Sequence, residues 1–455
     1  MEGYLTVSRS NAWIAGFCLL LAVALGIMWP YIALVAAAAA SLLALYLLLR
    51  NPFWAFSAFM FSLPFATLRL VPITGISNPA LMAIVVLFFS MLLNLRKLPP
   101  LKLKMLGAKP WLMVTFICVA MLGTLFPSEQ GIALKWTVMA VTLFSLYLVG
   151  TLLLVNPDRW NQAVYSFLLG SLASALYILY DYLLVPHSAL YRAGSFYTGG
   201  RGIGIAVSLL VAVPLALALL EKERRWHLRV FYYSVALCSA AAIVFSATRS
   251  SWLALAVLAV IELLRHPLRA LLGIGLIAIL MLGLIRAYLP TTYEYYAIRI
   301  FNTLNPEYGP QAEVGFRIEN YRISLNMLAS RPLLGVGMNN FGERAGGYGR
   351  VTIPLDYKLN THNAFLEILT STGLLGGIAY ILVWLLTLYE LALVATRGPP
   401  SMRPLALGLA LGFLLIIIDS MFHSEHVAWL LAPIFAFGSV MRRRVLESRT
   451  RSTDS

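Results

Sequence analysis

Residues 202–220 read GIGIAVSLLVAVPLALALL, nineteen positions without a charged side chain. A helix of about 20 residues crosses the ~30 Å hydrocarbon core of a bilayer. Lipid offers no partner to a peptide group, so a run of this kind is stable there only as a helix that satisfies its own backbone. Thirteen further apolar runs flank it, at 11–28, 31–49, 52–67, 79–95, 110–126, 132–155, 160–185, 230–246, 250–264, 268–288, 363–395, 403–418 and 426–440. The pattern predicts an all-α polytopic membrane protein with 12 to 14 transmembrane helices. The lower count applies if the weak runs at 52–67 and 250–264 are re-entrant or merge with neighbours.

Composition agrees with this reading, since 60% of the 455 residues are hydrophobic and 12% charged. A soluble domain of that balance would expose large apolar patches. The N-terminus lacks the n-region and small-residue cleavage site of a signal peptide, so the first run is expected to be retained. Cys18, Cys118 and Cys238 are odd in number, lie inside apolar runs and lack metal-ligand spacing, which makes them small membrane-buried side chains.

The formal charge of +15 reports topology rather than nucleic-acid binding. With the N-terminus inside, 21 of the 34 Lys and Arg fall in cytoplasmic segments, six outside and seven in 290–361. That bias satisfies the positive-inside rule and puts both termini in the cytoplasm. Four units follow: an N-terminal transmembrane bundle at 1–289, a periplasmic loop at 290–361, C-terminal transmembrane helices at 362–441 and a basic cytoplasmic tail at 442–455.

The loop is the one long polar stretch, and a loop of that length in a compact bundle is usually functional. Val314, Ile318, Tyr321, Leu325 and Leu328 recur at helical spacing, predicting an amphipathic helix over about 313–330 that Arg331-Pro332 terminates. Gly335, Gly337, Asn339 and Asn340 follow, where glycines permit tight turns and asparagines suit hydroxyl recognition. His362 stands at the start of the next apolar run, as a general base for a hydroxyl or a capping residue. On the same outer side lie Arg192, Arg201, Arg249 and Arg317. The turn Ser246-Ala247-Thr248-Arg249-Ser250-Ser251 combines hydroxyls and a guanidinium as a phosphate cradle would. The outer segments hold no Asp-x-Asp pair to carry a divalent cation, and that basic side could hold a diphosphate next to a base. Asp419, His423, Glu425 and His426 read as outer-surface polar groups. Asp181 and Lys135 are expected to pair or to face a cavity, because intramembrane charge is costly otherwise. Glu262 and Glu390 sit near basic helix ends and call for no functional role.

Four short motifs occur in order around the loop: Arg192-Ala193-Gly194-Ser195-Phe196, Thr248-Arg249-Ser250, the stretch from Arg317 through Arg331-Pro332-Leu333-Leu334-Gly335-Val336-Gly337 to Phe341, and His362-Asn363 before Gly373-Leu374-Leu375-Gly376. Together they resemble the O-antigen ligase and polymerase superfamily of bacterial envelope enzymes. The resemblance implies a glycosyltransferase of the inner membrane in lipopolysaccharide biosynthesis, with no cofactor or metal. It would move a glycan from undecaprenyl diphosphate to a hydroxyl of the lipid A core on the periplasmic face. His362 would then be the general base, Arg192 and Arg249 the donor-diphosphate ligands, and Arg317 and Arg201 their partners. Direct displacement would invert the anomeric centre. Two alternatives remain at this point. A polymerase would extend the glycan on the same lipid-linked donor, and a polysaccharide-lipid transporter or flippase would suit the span count, although no internal repeat supports it.

Overall fold

The computed structural model describes residues 30–66, 78–100, 106–125, 130–184, 203–246, 248–268, seven positions between 270 and 279, 310–349, 360–423 and 428–453. The described residues form helices and no strands. Those used below are α1 (Pro30–Arg50), α2 (Pro52–Ser62), α3 (Pro79–Leu93), α4 (Lys109–Gly123), α5 (Gln130–Leu153), α6 (Asp158–Leu184), α7 (Ile203–Leu220), α8 (Trp226–Phe245), α9 (Arg249–Arg265), α10 (Pro310–Ser330), α11 (Ala364–Arg397), α12 (Arg403–Ser420) and α13 (Ala428–Thr453).

Five described stretches are long and apolar enough to cross a membrane: Gly131–Leu153, Asp158–Asp181, Trp226–Phe245, Ala364–Arg397 and Arg403–Ser420. A multi-pass membrane protein follows. Residues Ala39–Arg50 and Pro52–Phe65 make a sixth candidate bent by 118°, so the weak third run turns back on the second instead of continuing it. The bend is built locally, for the Asn51 side chain caps α2 through Phe53 N–H and Pro52 opens the helix. Pro79–Leu93, Lys109–Gly123 and Ala206–Leu220 are shorter apolar helices. The first run, 11–28, and most of the eleventh, 268–288, lie outside the described residues. At the other end α13 carries the basic tail as helix as far as Thr453.

One apolar core joins most of these helices, with Phe56, Phe59, Tyr147, Leu215, Phe413, Phe435 and Phe437 fully or almost fully enclosed. Large apolar side chains such as Leu42, Leu93, Leu264 and Leu385 point outward, as lipid-facing positions do. Close approach between α12 and α7 comes from Gly408 and Gly412, one turn apart. A methyl group on either would stand 2.7 Å from Leu215 Cα or 2.9 Å from Val211 Cα. Small residues spaced in this way let membrane helices gain backbone contact where no hydrophobic force separates protein from lipid.

Two charged side chains, Lys109 and Glu390, are interior. Lys109 is fully buried, and its Nζ lies 2.5 Å from Glu390 Oε2, itself 4% exposed. The Lys109 ammonium also donates to Phe435 O at 3.2 Å, while Ser439 Oγ donates to Glu390 Oε2 at 3.4 Å. Tyr147 OH is 3.2 Å from Ser439 Oγ, and Arg442 Nη1 approaches Glu390 Oε1 at 3.8 Å. Helices α4, α5, α11 and α13 therefore meet at one ion pair. Glu390 neutralises a charge that burial would otherwise make prohibitive, a structural role rather than a functional one. Lys135 is exposed on α5 and Asp181 buried on α6, so the two stand in different environments.

Removing one partner leaves the other buried and uncompensated. Lys109→Met is expected to cost about 3–5 kcal/mol in a thermal melt of the detergent-solubilised protein, and adding Glu390→Leu should restore most of that loss.

Candidate active site

The long apolar run at 363–395 is not one straight helix. Gly373 interrupts α11 with φ 63° and ψ −168°, a left-handed backbone that glycine adopts without steric cost. The arm before the break folds back on the arm after it. A methyl group on Gly377 would lie 3.0 Å from Leu369 Cα, and the Phe365 and Trp384 rings sit 5.2 Å apart. In a continuous helix nineteen residues would separate that last pair by about 28 Å.

A broken helix exposes carbonyls on one side and N–H groups on the other. Residues 332–337 satisfy both. Val336 N donates to Thr370 O at 2.9 Å and Gly337 N to Ser371 O at 3.0 Å, while Leu374 N donates to Pro332 O at 2.7 Å and Leu375 N to Leu333 O at 3.4 Å. The backbones touch: a methyl group on Gly335 would meet Gly373 N and Thr370 O at 2.5 Å. The Gly-Val-Gly stretch read as a tight turn is thus a clamp on α11. Asn339, also left-handed at φ 56°, donates its N–H to Ser371 Oγ at 3.2 Å. The Asn340 side chain is wholly buried with no hydrogen bond at Oδ1 or Nδ2 among the described residues, which takes it away from the hydroxyl-binding surface expected of it.

His362 heads the folded-back arm. It is half-buried and has φ 52°, a conformation that costs a non-glycine residue about 1–3 kcal/mol and is common at functional sites. Helix capping is done by Asn363, whose Oδ1 accepts from Phe365 N and Leu366 N at 3.0 Å each, so His362 is not the cap. The strained residue is held on both sides. Its own N–H donates to Asn360 Oδ1 at 3.1 Å, Thr361 N donates to Glu367 Oε2 at 3.3 Å, and Thr361 Oγ1 donates to Asn363 O at 2.8 Å. Glu367, 1% exposed, went unremarked on sequence, although a lone acid near the start of an apolar run is a signal for a buried partner.

Helix α10 spans Pro310–Ser330 and ends before Arg331-Pro332 as expected, but its buried face differs from the predicted stripe. Asn320, Ile323, Ser324 and Met327 face the protein, whereas Ile318 is 62% and Leu325 57% exposed. The reason is polar as well as apolar. Asn320 Nδ2 donates to Asn360 O at 2.9 Å, and Ile323 and Met327 pack with Val336, Phe341 and Ala345 in a small core under the loop. Arg317, half-buried, lies three residues before Asn320 on α10.

The polar turn before α9 meets the end of α12. Ser250 Oγ lies 2.5 Å from His423 Nε2, and Ser251 Oγ donates to Asp419 Oδ1 at 2.9 Å. Within the turn Ser246 Oγ donates to Ile243 O at 2.7 Å and contacts Thr248 Oγ1 at 3.1 Å. The hydroxyls expected to cradle phosphate are therefore engaged in the turn and with α12, and Arg249, half-buried at the first position of α9, is its cationic group. Asp419 is 2% exposed, which corrects its reading as an outer-surface group, whereas His423 is half-buried and bonded to Ser250. Arg192, Arg201, Glu425 and His426 lie outside the described residues. Among the described residues Glu221, Glu262 and His266 bring three metal-type donor atoms together, yet Arg265 already bonds Glu221 Oε1 at 2.9 Å and Glu262 Oε1 at 2.8 Å.

Residues 234–381 match the family model described as O-Antigen ligase, and the match supports placing the chain in that superfamily. No curated protein matches the chain. The matched stretch includes Arg249, Arg317, the clamp at 332–337, His362 and Gly373, and stops short of Asp419 and His423.

If the clamp holds the site, Gly335→Ala and Gly373→Ala should each lower folded yield and melting temperature sharply, because the left-handed backbone penalty of about 1–2 kcal/mol adds to a backbone clash. Gly346, with nothing within 4 Å of an added methyl, serves as the control and should change stability by less than about 0.5 kcal/mol as Ala.

Proposed function

With that superfamily as premise, we propose that the protein is an O-antigen ligase. It transfers a glycan from undecaprenyl diphosphate to a hydroxyl of the lipid A core oligosaccharide, in lipopolysaccharide biosynthesis. The site faces the periplasm and both termini face the cytoplasm of a bacterium's inner membrane, in keeping with the 21 to 6 distribution of basic residues. The observation that supports the reading best is His362, inside the matched segment and held in a strained conformation by Asn360, Thr361 and Glu367.

In this reading the acceptor oxygen attacks the anomeric carbon of the donor sugar as its proton passes to a neutral nitrogen of the His362 imidazole. The bond from that carbon to the diphosphate oxygen breaks, and the carrier leaves with the electron pair. Negative charge grows on the diphosphate, where guanidinium donors give bidentate hydrogen bonds that strengthen toward the transition state. Arg249 and Arg192 take that role, with Arg317 and Arg201 beside them. A single displacement inverts the anomeric configuration.

Purified protein supplied with a lipid-linked repeat-unit donor and lipid A core should yield core-linked glycan, and His362→Ala should slow that transfer by about 10²–10⁴ without loss of expression or fold. Chain growth on the lipid carrier when the core is left out would instead identify a polymerase, and full transfer by His362→Ala would remove the general base from the account.

A further inference from the structure

Asp419 lies in the last turn of α12, and His423 three residues past its end. Both reach α9, one to Ser250 and the other to Ser251, the two residues that follow Arg249. On the other side of Arg249, Thr248 is buried and tied to Ser246. The backbone that carries the guanidinium is thus fixed from both directions, and half of the fixing comes from a helix some 170 residues further along the chain.

The trio of Ser250, His423 and Asp419 suggests a nucleophilic serine, but the geometry does not build one. The imidazole nitrogen that approaches Asp419 Oδ1, at 3.9 Å, is Nε2, the same nitrogen that meets Ser250. An orienting carboxylate has to bind the opposite nitrogen from the one that serves the hydroxyl. A positioning role fits better. Helix α12 also packs on α11 beyond the Gly373 break, with the Trp384 and Phe413 rings 5.2 Å apart.

We infer that His423 is a positioning residue for Arg249, acting through Ser250, with Asp419 reinforcing it through Ser251. The inference rests on the reading of Arg249 as a ligand of the donor diphosphate. A long flexible cation binds an anion more tightly when its stem is held in place beforehand, because less freedom is lost on binding. Loss of the His423 contact therefore weakens diphosphate binding without removing a group that touches the ligand.

The test is a double-mutant cycle on the full-length protein in lipid nanodiscs, with undecaprenyl diphosphate as the probe and its Kd as the readout. Arg249→Ala should weaken binding, and His423→Ala should weaken it by about tenfold. In an Arg249→Ala background the His423→Ala change should have no further effect. Ser250→Ala deletes the same bond by one oxygen and should reproduce the effect, which keeps the test decisive if His423→Ala fails to fold. Wild-type Kd in the His423 and Ser250 variants, or effects that add to that of Arg249→Ala, would overturn the inference while leaving the diphosphate reading intact. Wild-type Kd in Arg249→Ala would overturn both.

Discussion

Four backbone hydrogen bonds between residues 332–337 and the two sides of Gly373 carry the architecture of the candidate site. A break in an apolar helix leaves donors and acceptors that lipid cannot satisfy. Here a second stretch of chain supplies all four partners, and it does so only because Gly335 and Gly373 allow two backbones to touch. The break in turn lets the arm from Ala364 fold back until Phe365 reaches Trp384. His362 is thereby drawn in beside the bundle, at the head of that arm, and its strained backbone is held by Asn360, Thr361 and Glu367.

The remaining polar contacts follow the same economy. Four contacts join buried polar or charged side chains to groups from distant parts of the chain: Lys109 with Glu390, Ser250 with His423, Ser251 with Asp419, Asn320 with Asn360. One member of each pair lies at or just outside a helix end, where backbone and side chains need partners, and the stretches between are held by aromatic and small-residue packing. The proposed chemistry, with a fixed arginine and a fixed histidine, would draw on elements that lipid-facing packing alone would leave free to slide.

The helical membrane class was legible because runs such as 202–220 and 132–155 leave one stable option in lipid. His362, Arg249 and Arg317 were legible as residue types on one expected side. The fold-back was not. Gly373 and Gly376-Gly377 sit in an apolar run whose composition is the same whether the helix is straight or broken, and only the partner segment at 332–337 decides. The face of α10 was misread for a related reason: in water Ile318 and Leu325 would mark the buried stripe, but beside a membrane an apolar stripe can face outward, and Asn320 turned out to be the anchoring residue. Separations of 281 residues for Lys109 and Glu390, and of 173 for Ser250 and His423, leave no periodic trace in the sequence.

The central claim, that α11 folds back at Gly373 to deliver His362, is tested most directly by a distance measured within that helix. Spin labels at Leu366 and Leu385, one residue beyond the contacting Phe365 and Trp384 rings, should give a pulsed-EPR distribution centred below about 20 Å. A continuous helix separates those positions by about 28 Å, and a distribution centred there would contradict the account.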